Sequence, residues 1–182
     1  MSRRSPSILL LVLFLVLIAD QLSKLLIIEY FQEGQSLSII GNLVRFQFIY
    51  NEGGVMGTRI GPSWIYTILT VFALILIIRF LISDKTGKMS SGIALALIAA
   101  GAIGNLIDRI RFGKVIDFID IDIPDIHFLN IYRWFTFNVA DAAITAGLAI
   151  FVIVLLFQGR QTAAPDSSKP FIDVQGNPGD RQ

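Results

Sequence analysis

The chain has 182 residues, of which 54% are hydrophobic and 16% are charged, and its formal net charge is +1. Soluble domains are about one quarter charged, so lipid must be the solvent for much of this surface. The small net charge gives no case for a nucleic-acid partner, and the absence of cysteine excludes disulfides and thiolate metal sites.

Four apolar stretches approach the roughly 20 residues that a helix needs to cross a bilayer. Helices are the expected spanning form, because backbone polar groups in lipid must be satisfied within the segment. We therefore predict an all-α membrane protein in which residues 1–158 form one membrane-embedded domain. Its spanning helices are predicted at about 7–28, 63–82, 91–110 and 139–157.

The two ends of the chain bear on its orientation. Arg3 and Arg4 precede the first apolar run, as in a signal peptide, but no small-residue cleavage site follows. We interpret the run as an uncleaved first helix. Lysine and arginine counts barely distinguish the two sides, although the N-terminal arginines favour cytoplasmic termini. The polar segment 159–182 is expected to be a disordered cytoplasmic tail.

Two longer segments, 29–62 and 111–137, fall on the side opposite to the termini. Within the first, large apolar residues recur at every second position over 44–50, a period typical of a β-strand. We predict a small extracytoplasmic β-sheet. We also hypothesise that the stretch 44–50 and the NEGG turn after it form a lid over a bound substrate, with Phe46 and Phe48 as positions that would test it.

Ionisable residues inside spanning helices are costly and usually face the bundle interior. Asp20 and Lys24 are four residues apart and share a face of the first helix. They are either an intrahelical ion pair or part of substrate handling. In the third helix, Ala96, Ala100 and Gly104 form a ridge of small residues that lets another helix approach closely.

A polar stripe occupies the outer end of the third helix. Asn105, Asp108, Arg109 and Phe112 follow one another at spacings that place them on one face. Interhelical hydrogen bonds with a terminal ion pair would explain the stripe. Asn105 and Arg109 are equally suited to hold a substrate backbone or a lipid headgroup.

Four aspartates follow within residues 113–125, and such a run is usually a solvated surface. Asp117 differs from the others because apolar residues flank it on both sides, so desolvation should raise its pKa. A metal site in this cluster is a further reading, but the spacing matches no liganding loop. The four acids are Asp117, Asp120, Asp122 and Asp125.

The fourth helix opens with an asparagine and an acid at capping spacing. Asn138 is suited to the N-cap, and Asp141 suits the positive helix terminus. This placement also brings Asp141 to the same depth as Asp117. Two carboxyls that share one proton can activate a water and polarise a scissile carbonyl, as in aspartic proteases.

Two other classes of function remain open from the residues alone. A small proton-coupled transporter would use Asp20, Asp108 and Asp141 as a relay, although no inverted repeat is visible. A non-catalytic scaffold would use the polar stripes only to lock helices together.

Four sequence blocks resemble the lipoprotein signal peptidases (signal peptidase II), a family of bacterial aspartic peptidases. They occur in the family's order and at its spacing across about residues 10–157. The third block is long and specific, and the fourth is specific when paired with it. The blocks are DQLSK at 20–24, NEGGVMG at 51–57, GNLIDRIRFGKVIDFID at 104–120 and FNVADAAI at 137–144.

The resemblance implies a four-helix membrane bundle with a small extracytoplasmic sheet and a catalytic pair formed by Asp117 and Asp141. It implies cleavage just before a diacylglyceryl-modified cysteine, inhibition by the cyclic peptide globomycin and no metal or organic cofactor. The enzyme is expected in the bacterial inner membrane, with its active site at the outer face. It is expected to be a monomer. Positions that match those the family uses to build or support the site are Asp20, Lys24, Asn51, Asn105, Asp108, Arg109 and Asn138. We add Gly53 to the candidate substrate-binding positions, because glycine lets the backbone approach a ligand closely.

Three positions depart from the family pattern. Met56 stands where phenylalanine is usual, Gly54 where alanine is common, and Ala100 where a glycine often precedes the motif. All three replacements are small or apolar, so they bear on pocket shape and leave the chemistry unchanged.

Overall fold

The computed structural model describes residues 5–53, 61–83, 88–123 and 134–159. Within these ranges, four helices are long and apolar enough to cross a membrane, as the sequence predicts. They are α1 (Pro6–Tyr30), α2 (Ser63–Ser83), α3 (Met89–Phe112) and α4 (Val139–Gly159). Arg3, Arg4, Gly54, Met56, Asp125 and the predicted tail from residue 160 lie outside the described residues.

Helices α1 and α3 extend two residues further at their C-terminal ends than hydropathy predicts. Pro6 occupies the start of α1, where its missing N–H is no loss, and Phe31 ends the helix by turning extended. Gly113 ends α3 with a left-handed φ of 70°, and its N–H donates to the Arg109 carbonyl. Capping geometry therefore sets the boundaries that apolar windows cannot locate.

Helix α3 is the centre of the bundle and packs against α1, α2 and α4. The predicted ridge of small residues is buried, with Ala100 fully inaccessible and Gly104 against the Asp20 side chain. Gly101 also faces α4, and a Cβ there would collide with the Ala140 carbonyl oxygen. Small side chains thus allow the backbones of α3 and α4 to approach closely.

Among the described residues, three strands form one antiparallel sheet in the order β1–β2–β3. They are β1 (Ser36–Ile40), β2 (Val44–Asn51) and β3 (Val115–Ile121), so the predicted strand at 44–50 is confirmed as β2. Phe48 is buried with Ile27 of α1 and with Ile116 and Phe118 of β3. The sheet therefore packs on the end of α1.

The expectation that the acidic run is solvated apart from Asp117 is wrong for Asp120. Its side chain is only 1% exposed and accepts hydrogen bonds from Nε and Nη2 of Arg45, at 3.0 and 2.8 Å. Asp120 and Arg45 are cross-strand partners in the β2–β3 register. This pairing supplies the opposite charge that a buried carboxylate needs.

Candidate active site

Asp117 and Asp141, predicted as a catalytic pair, are hydrogen-bonded to the same residue. The side-chain amide of Asn138 donates to Asp117 Oδ1 at 2.7 Å, and its backbone N–H donates to Asp141 Oδ2 at 3.3 Å. Asp117 lies on β3 and is 1% exposed, whereas Asp141 lies in the first turn of α4 and is partly exposed. We call these two residues the aspartate pair.

Asn138 holds this position because it caps α4. Its Oδ1 accepts from the Asp141 N–H at 2.9 Å, while the Asp141 carboxylate accepts from the Asn138 N–H. This reciprocal arrangement satisfies backbone donors at the helix start, as in a capping box. The predicted capping role of Asn138 and Asp141 is confirmed, and the cap itself orients one member of the aspartate pair.

Asn105 connects the pair from the α3 side. Its Nδ2 donates to Asp141 Oδ1 at 2.8 Å, and its Oδ1 accepts from Asn138 Nδ2 at 3.1 Å. Oδ1 of Asn105 also accepts from Lys24 Nζ at 3.0 Å. Two asparagines therefore join both carboxyls to a buried lysine.

Lys24 is the centre of an ion triad, by which we mean Asp20, Lys24 and Asp108. Its Nζ lies 2.9 Å from Asp20 Oδ2 and 2.8 Å from Asp108 Oδ2, and all three side chains are at most 2% exposed. Gln21 Nε2 donates to both carboxylates, at 3.1 and 3.2 Å. The predicted pairing of Asp20 with Lys24 is confirmed, and a second carboxylate joins it from α3.

Each carboxylate of the ion triad also holds a backbone N–H next to the aspartate pair. Asp20 Oδ1 accepts from the Ala140 N–H at 2.9 Å, one residue before Asp141. Asp108 Oδ2 accepts from the Ile116 N–H at 3.2 Å, one residue before Asp117. The triad thus fixes the backbone on both sides of the site.

The end of β2 closes the site from a third direction. Asn51 Nδ2 donates to Asp117 Oδ2 at 2.9 Å, and Asn51 Oδ1 accepts from the Gly53 N–H. Nη2 of Arg109 reaches the Gly53 carbonyl oxygen at 3.4 Å, and the guanidinium lies 6.0 Å from the Tyr66 ring centre. Arg109 also attracts both members of the pair electrostatically.

Burial and the neighbouring charge of Asp141 raise the pKa of Asp117 to about 7. The hydrogen bonds from Asn51 and Asn138 and the charge of Lys24 oppose this rise. Desolvation outweighs these donors, as expected for a carboxyl on an apolar strand. Asp117 is therefore suited to hold a proton near neutral pH.

A cleft of about 200 Å³ leads to Asp117. Its walls come from the end of β2 and from the segment preceding α4, so it combines apolar surface with the Asn51 amide. A carbonyl placed in this cleft would meet the Asp117 carboxyl. The lining residues are Ile49, Tyr50, Asn51, Glu52, Asp117, Phe135 and Thr136.

The fold brings together all ten residues of the predicted site, namely the aspartate pair and the eight supporting positions. Hydrogen bonds and ion pairs connect them in one region. Sequence reasoning missed Gln21, although it lies inside the DQLSK block and its amide bridges Asp20 and Asp108. The lid over the substrate stays a prediction, and Ile49 and Tyr50 of the stretch 44–50 line the cleft. The Phe48 side chain does not face this cleft, because it is 4% exposed in the core of the sheet. Phe46 packs edge-on against Phe118 of the same core.

Adding a methyl group at Gly101 should destabilise the bundle. In an ordinary helix, replacing glycine by alanine raises the free energy of unfolding by up to about 1 kcal/mol. In Gly101→Ala the new Cβ would collide with the Ala140 carbonyl and Ile144, so we expect an overpacking loss of about 1–3 kcal/mol. Thermal unfolding in detergent would measure it. Ala149→Ser on the exposed face of α4 is the control, and a raised midpoint for Gly101→Ala would contradict the close approach.

Comparison with known proteins identifies the family. The family model for signal peptidase (SPase) II matches residues 12–157. The lipoprotein signal peptidase of Moorella thermoacetica is 38% identical over 159 residues, covering 84% of this chain and 97% of the relative. That of Syntrophus aciditrophicus is 36% identical over 152 residues, covering 81% and 90%.

A solved structure agrees with these relatives. A bacterial membrane enzyme determined by the in meso method superposes with a TM-score of 0.78 at 29% identity, covering 92% of this chain and 98% of that one. The match therefore extends over the helices, the sheet and the site. The chain belongs to the signal peptidase II family and is a membrane-spanning peptidase.

Proposed function

We propose that this peptidase removes signal peptides from prolipoproteins whose cysteine carries a diacylglyceryl group, cutting just before that cysteine. Asp117 and Asp141 are its catalytic residues in this proposal. The observations that support it best are that Asn138 donates hydrogen bonds to both carboxyls and that Asp117 lines an open cleft. Family membership supports the lipoprotein substrate.

The proposed chemistry assigns one proton to the pair. The raised pKa of Asp117 favours this residue as the protonated member, which donates a hydrogen bond to the scissile carbonyl oxygen. Ionised Asp141 takes a proton from a water as the water oxygen attacks the carbonyl carbon. The tetrahedral intermediate then collapses, the C–N bond breaks, and Asp141 returns its proton to the leaving amine.

The neighbouring polar residues are positioning groups in this scheme. Asn105 and Asn138 donate to the pair through their amides, and the ion triad holds the backbone preceding each aspartate. Asp20 and Asp108 are already engaged with Lys24, which argues against a transporter that would use them as a relay. No residue in this scheme requires a metal or an organic cofactor.

We further propose that the enzyme resides in the bacterial inner membrane, with both termini in the cytoplasm and the cleft at the outer face. Both members of the aspartate pair lie at the end of the bundle that carries the sheet, since β3 follows α3 and Asp141 begins α4. A substrate anchored by acyl chains would present its scissile bond near that level. A monomer contains every residue of the proposed mechanism.

Cleavage of defined substrates would test the proposal. The purified enzyme in proteoliposomes is given a prolipoprotein with a diacylglyceryl cysteine, and the same prolipoprotein without lipid. We expect only the lipidated form to be cut, with the modified cysteine as the new N-terminus by mass spectrometry and with inhibition by globomycin. Equal cleavage of the unlipidated form, or cleavage at another bond, would contradict the proposed specificity.

The pH dependence of cleavage follows from the raised pKa of Asp117. Ionisation of Asp117 removes the proton offered to the carbonyl oxygen, so kcat/KM should fall as pH rises through about 7. Asn51→Ala removes a donor that stabilises the charged form, so the pKa should rise and the alkaline limb should move to higher pH. Gln47→Ala on the same strand is the control. An alkaline limb that stays in place in Asn51→Ala would exclude Asp117 as the group that titrates.

A further inference from the structure

The β1–β2 hairpin exposes large apolar side chains outside the spanning helices. Residues 34–44, with the sequence GQSLSIIGNLV, contain no ionisable residue. Ile40 and Leu43 are 59% and 54% exposed, and Leu37 and Ile39 are exposed to a similar extent. A hairpin surrounded by water would be expected to carry polar or charged side chains at such an edge.

The hairpin tip, defined as residues 37–43, has a fixed shape. The Leu43 N–H donates to the Ile40 carbonyl at 2.9 Å across a tight turn, and Gly41 takes the left-handed φ of 51° that this turn needs. The Asp122 N–H donates to the Leu43 carbonyl and ties the tip to the end of β3. The exposed residues are therefore presented by an ordered turn.

The depth of the sheet places this tip at the edge of the bilayer. Helix α1 has 25 residues, so it is about 37 Å long, against about 30 Å for the hydrocarbon core. Its last turns thus reach the headgroup region. The core of the sheet packs on Ile27 and Ile28 at that end of α1, so this core lies at the level of the headgroups. Phe46 packs on the same core and is the strand partner of Leu37, where the hairpin tip begins.

Exposed aromatic residues continue the apolar surface beyond the hairpin. The Trp134 N–H donates to the Ile121 carbonyl, and Ile121 is the strand partner of Val44 next to the tip. Trp134 and Phe135 are 38% and 36% exposed. Tryptophan and neighbouring apolar residues are typical of the membrane–water interface.

From these features we propose that the hairpin tip inserts into the headgroup–acyl boundary of the leaflet on the sheet side and anchors the sheet to the lipid. The occupant is the bilayer itself, since the hairpin follows directly on the last turns of α1, where Leu22, Leu26 and Tyr30 are exposed apolar residues of a spanning helix. Interfacial segments of this kind bury their apolar face about 5–10 Å into the boundary. The inference goes beyond the proposed chemistry and does not depend on it.

Site-directed spin labelling suits the test because the chain contains no cysteine. Ile40→Cys and Leu43→Cys each receive a nitroxide, and the protein is reconstituted without substrate in phosphatidylethanolamine–phosphatidylglycerol vesicles. Accessibility to oxygen, which concentrates in lipid, is compared with accessibility to a water-soluble nickel chelate. Glu33→Cys, an exposed position between α1 and β1, is the matched control.

We expect the oxygen-to-nickel accessibility ratio to be several-fold higher at residues 40 and 43 than at residue 33. A water-like ratio at both tip positions would overturn the anchor. Loss of accessibility to both reagents, with spin–spin broadening that disappears on dilution with unlabelled protein, would assign the surface to a second copy instead. Unchanged cleavage by the labelled variants shows that they are folded. An inactive parent enzyme would contradict the proposed function but not the lipid anchor.

Discussion

Asp117→Asn and Asp141→Asn are each expected to abolish cleavage while leaving a folded protein. One remaining carboxyl cannot be both the ionised base that takes the proton of the water and the protonated acid that donates to the carbonyl oxygen. Asp141→Asn removes the base, and Asp117→Asn replaces the acid by an amide, which is a far weaker proton donor. Loss of general acid–base catalysis typically lowers rates by about 10²–10⁴-fold. The measurement is kcat/KM on a diacylglyceryl-modified prolipoprotein, followed by gel shift and mass spectrometry.

Folding of these variants can be argued from the bonds around Asp117. Its two oxygens accept from Asn138 and Asn51, and an asparagine side chain keeps only one acceptor oxygen. The lost hydrogen bond is offset because the repulsion between Asp117 and Asp141 also disappears. We therefore expect an unfolding midpoint close to that of the parent enzyme.

Asp122→Asn is the matched control for this experiment. It makes the same chemical change in the same acidic run, at a partly exposed position just beyond β3. Its cleavage rate should stay near that of the parent enzyme. Normal cleavage by Asp117→Asn or Asp141→Asn would exclude the aspartate pair as the catalytic centre.

Lys24→Met is expected to cause the largest loss of stability. Methionine has a similar length but no charge, so Asp20 and Asp108 would face each other in the interior without a cation. Breaking a buried ion pair by removing one partner costs about 3–5 kcal/mol. Cleavage should fall as well, because these carboxylates hold the N–H groups of Ala140 and Ile116.

Two comparisons test whether the stability loss of Lys24→Met comes from the uncompensated buried carboxylates. Lys114→Met removes a lysine whose ion pair with Glu52 is largely exposed, so its stability loss should be much smaller. Adding Asp108→Asn to Lys24→Met should recover part of the lost stability, since one uncompensated carboxylate disappears. An unfolding midpoint for Lys24→Met as high as that of Lys114→Met would show that the ion triad contributes little.

The capping residues illustrate what local sequence can predict. Asn138 and Asp141 are three residues apart, and their reciprocal hydrogen bonds depend only on the geometry of one helix turn. The same holds for Asp20 and Lys24, four apart on α1. Such contacts follow from helical periodicity and need no knowledge of the rest of the fold.

Asp120 and Phe48 illustrate what local sequence cannot predict. Nothing near Asp120 in the sequence indicates that Arg45, 75 residues away, will pair with it. Period-two alternation predicts that the face of β2 carrying Phe48 is covered, but it does not tell whether protein, lipid or a substrate covers it. That depends on how β2 packs against α1.

The sequence by itself determined the four spanning helices, the strand β2, the cap of α4 and the motif resemblance, because each is written in residues close together along the chain. Only the tertiary structure decided that Lys24 meets Asp108 and that Asp20 accepts from Ala140, 120 residues away. It also decided that Asn138 hydrogen-bonds both members of the aspartate pair. Such contacts depend on helix packing distances and strand register, which are set by the whole bundle at once.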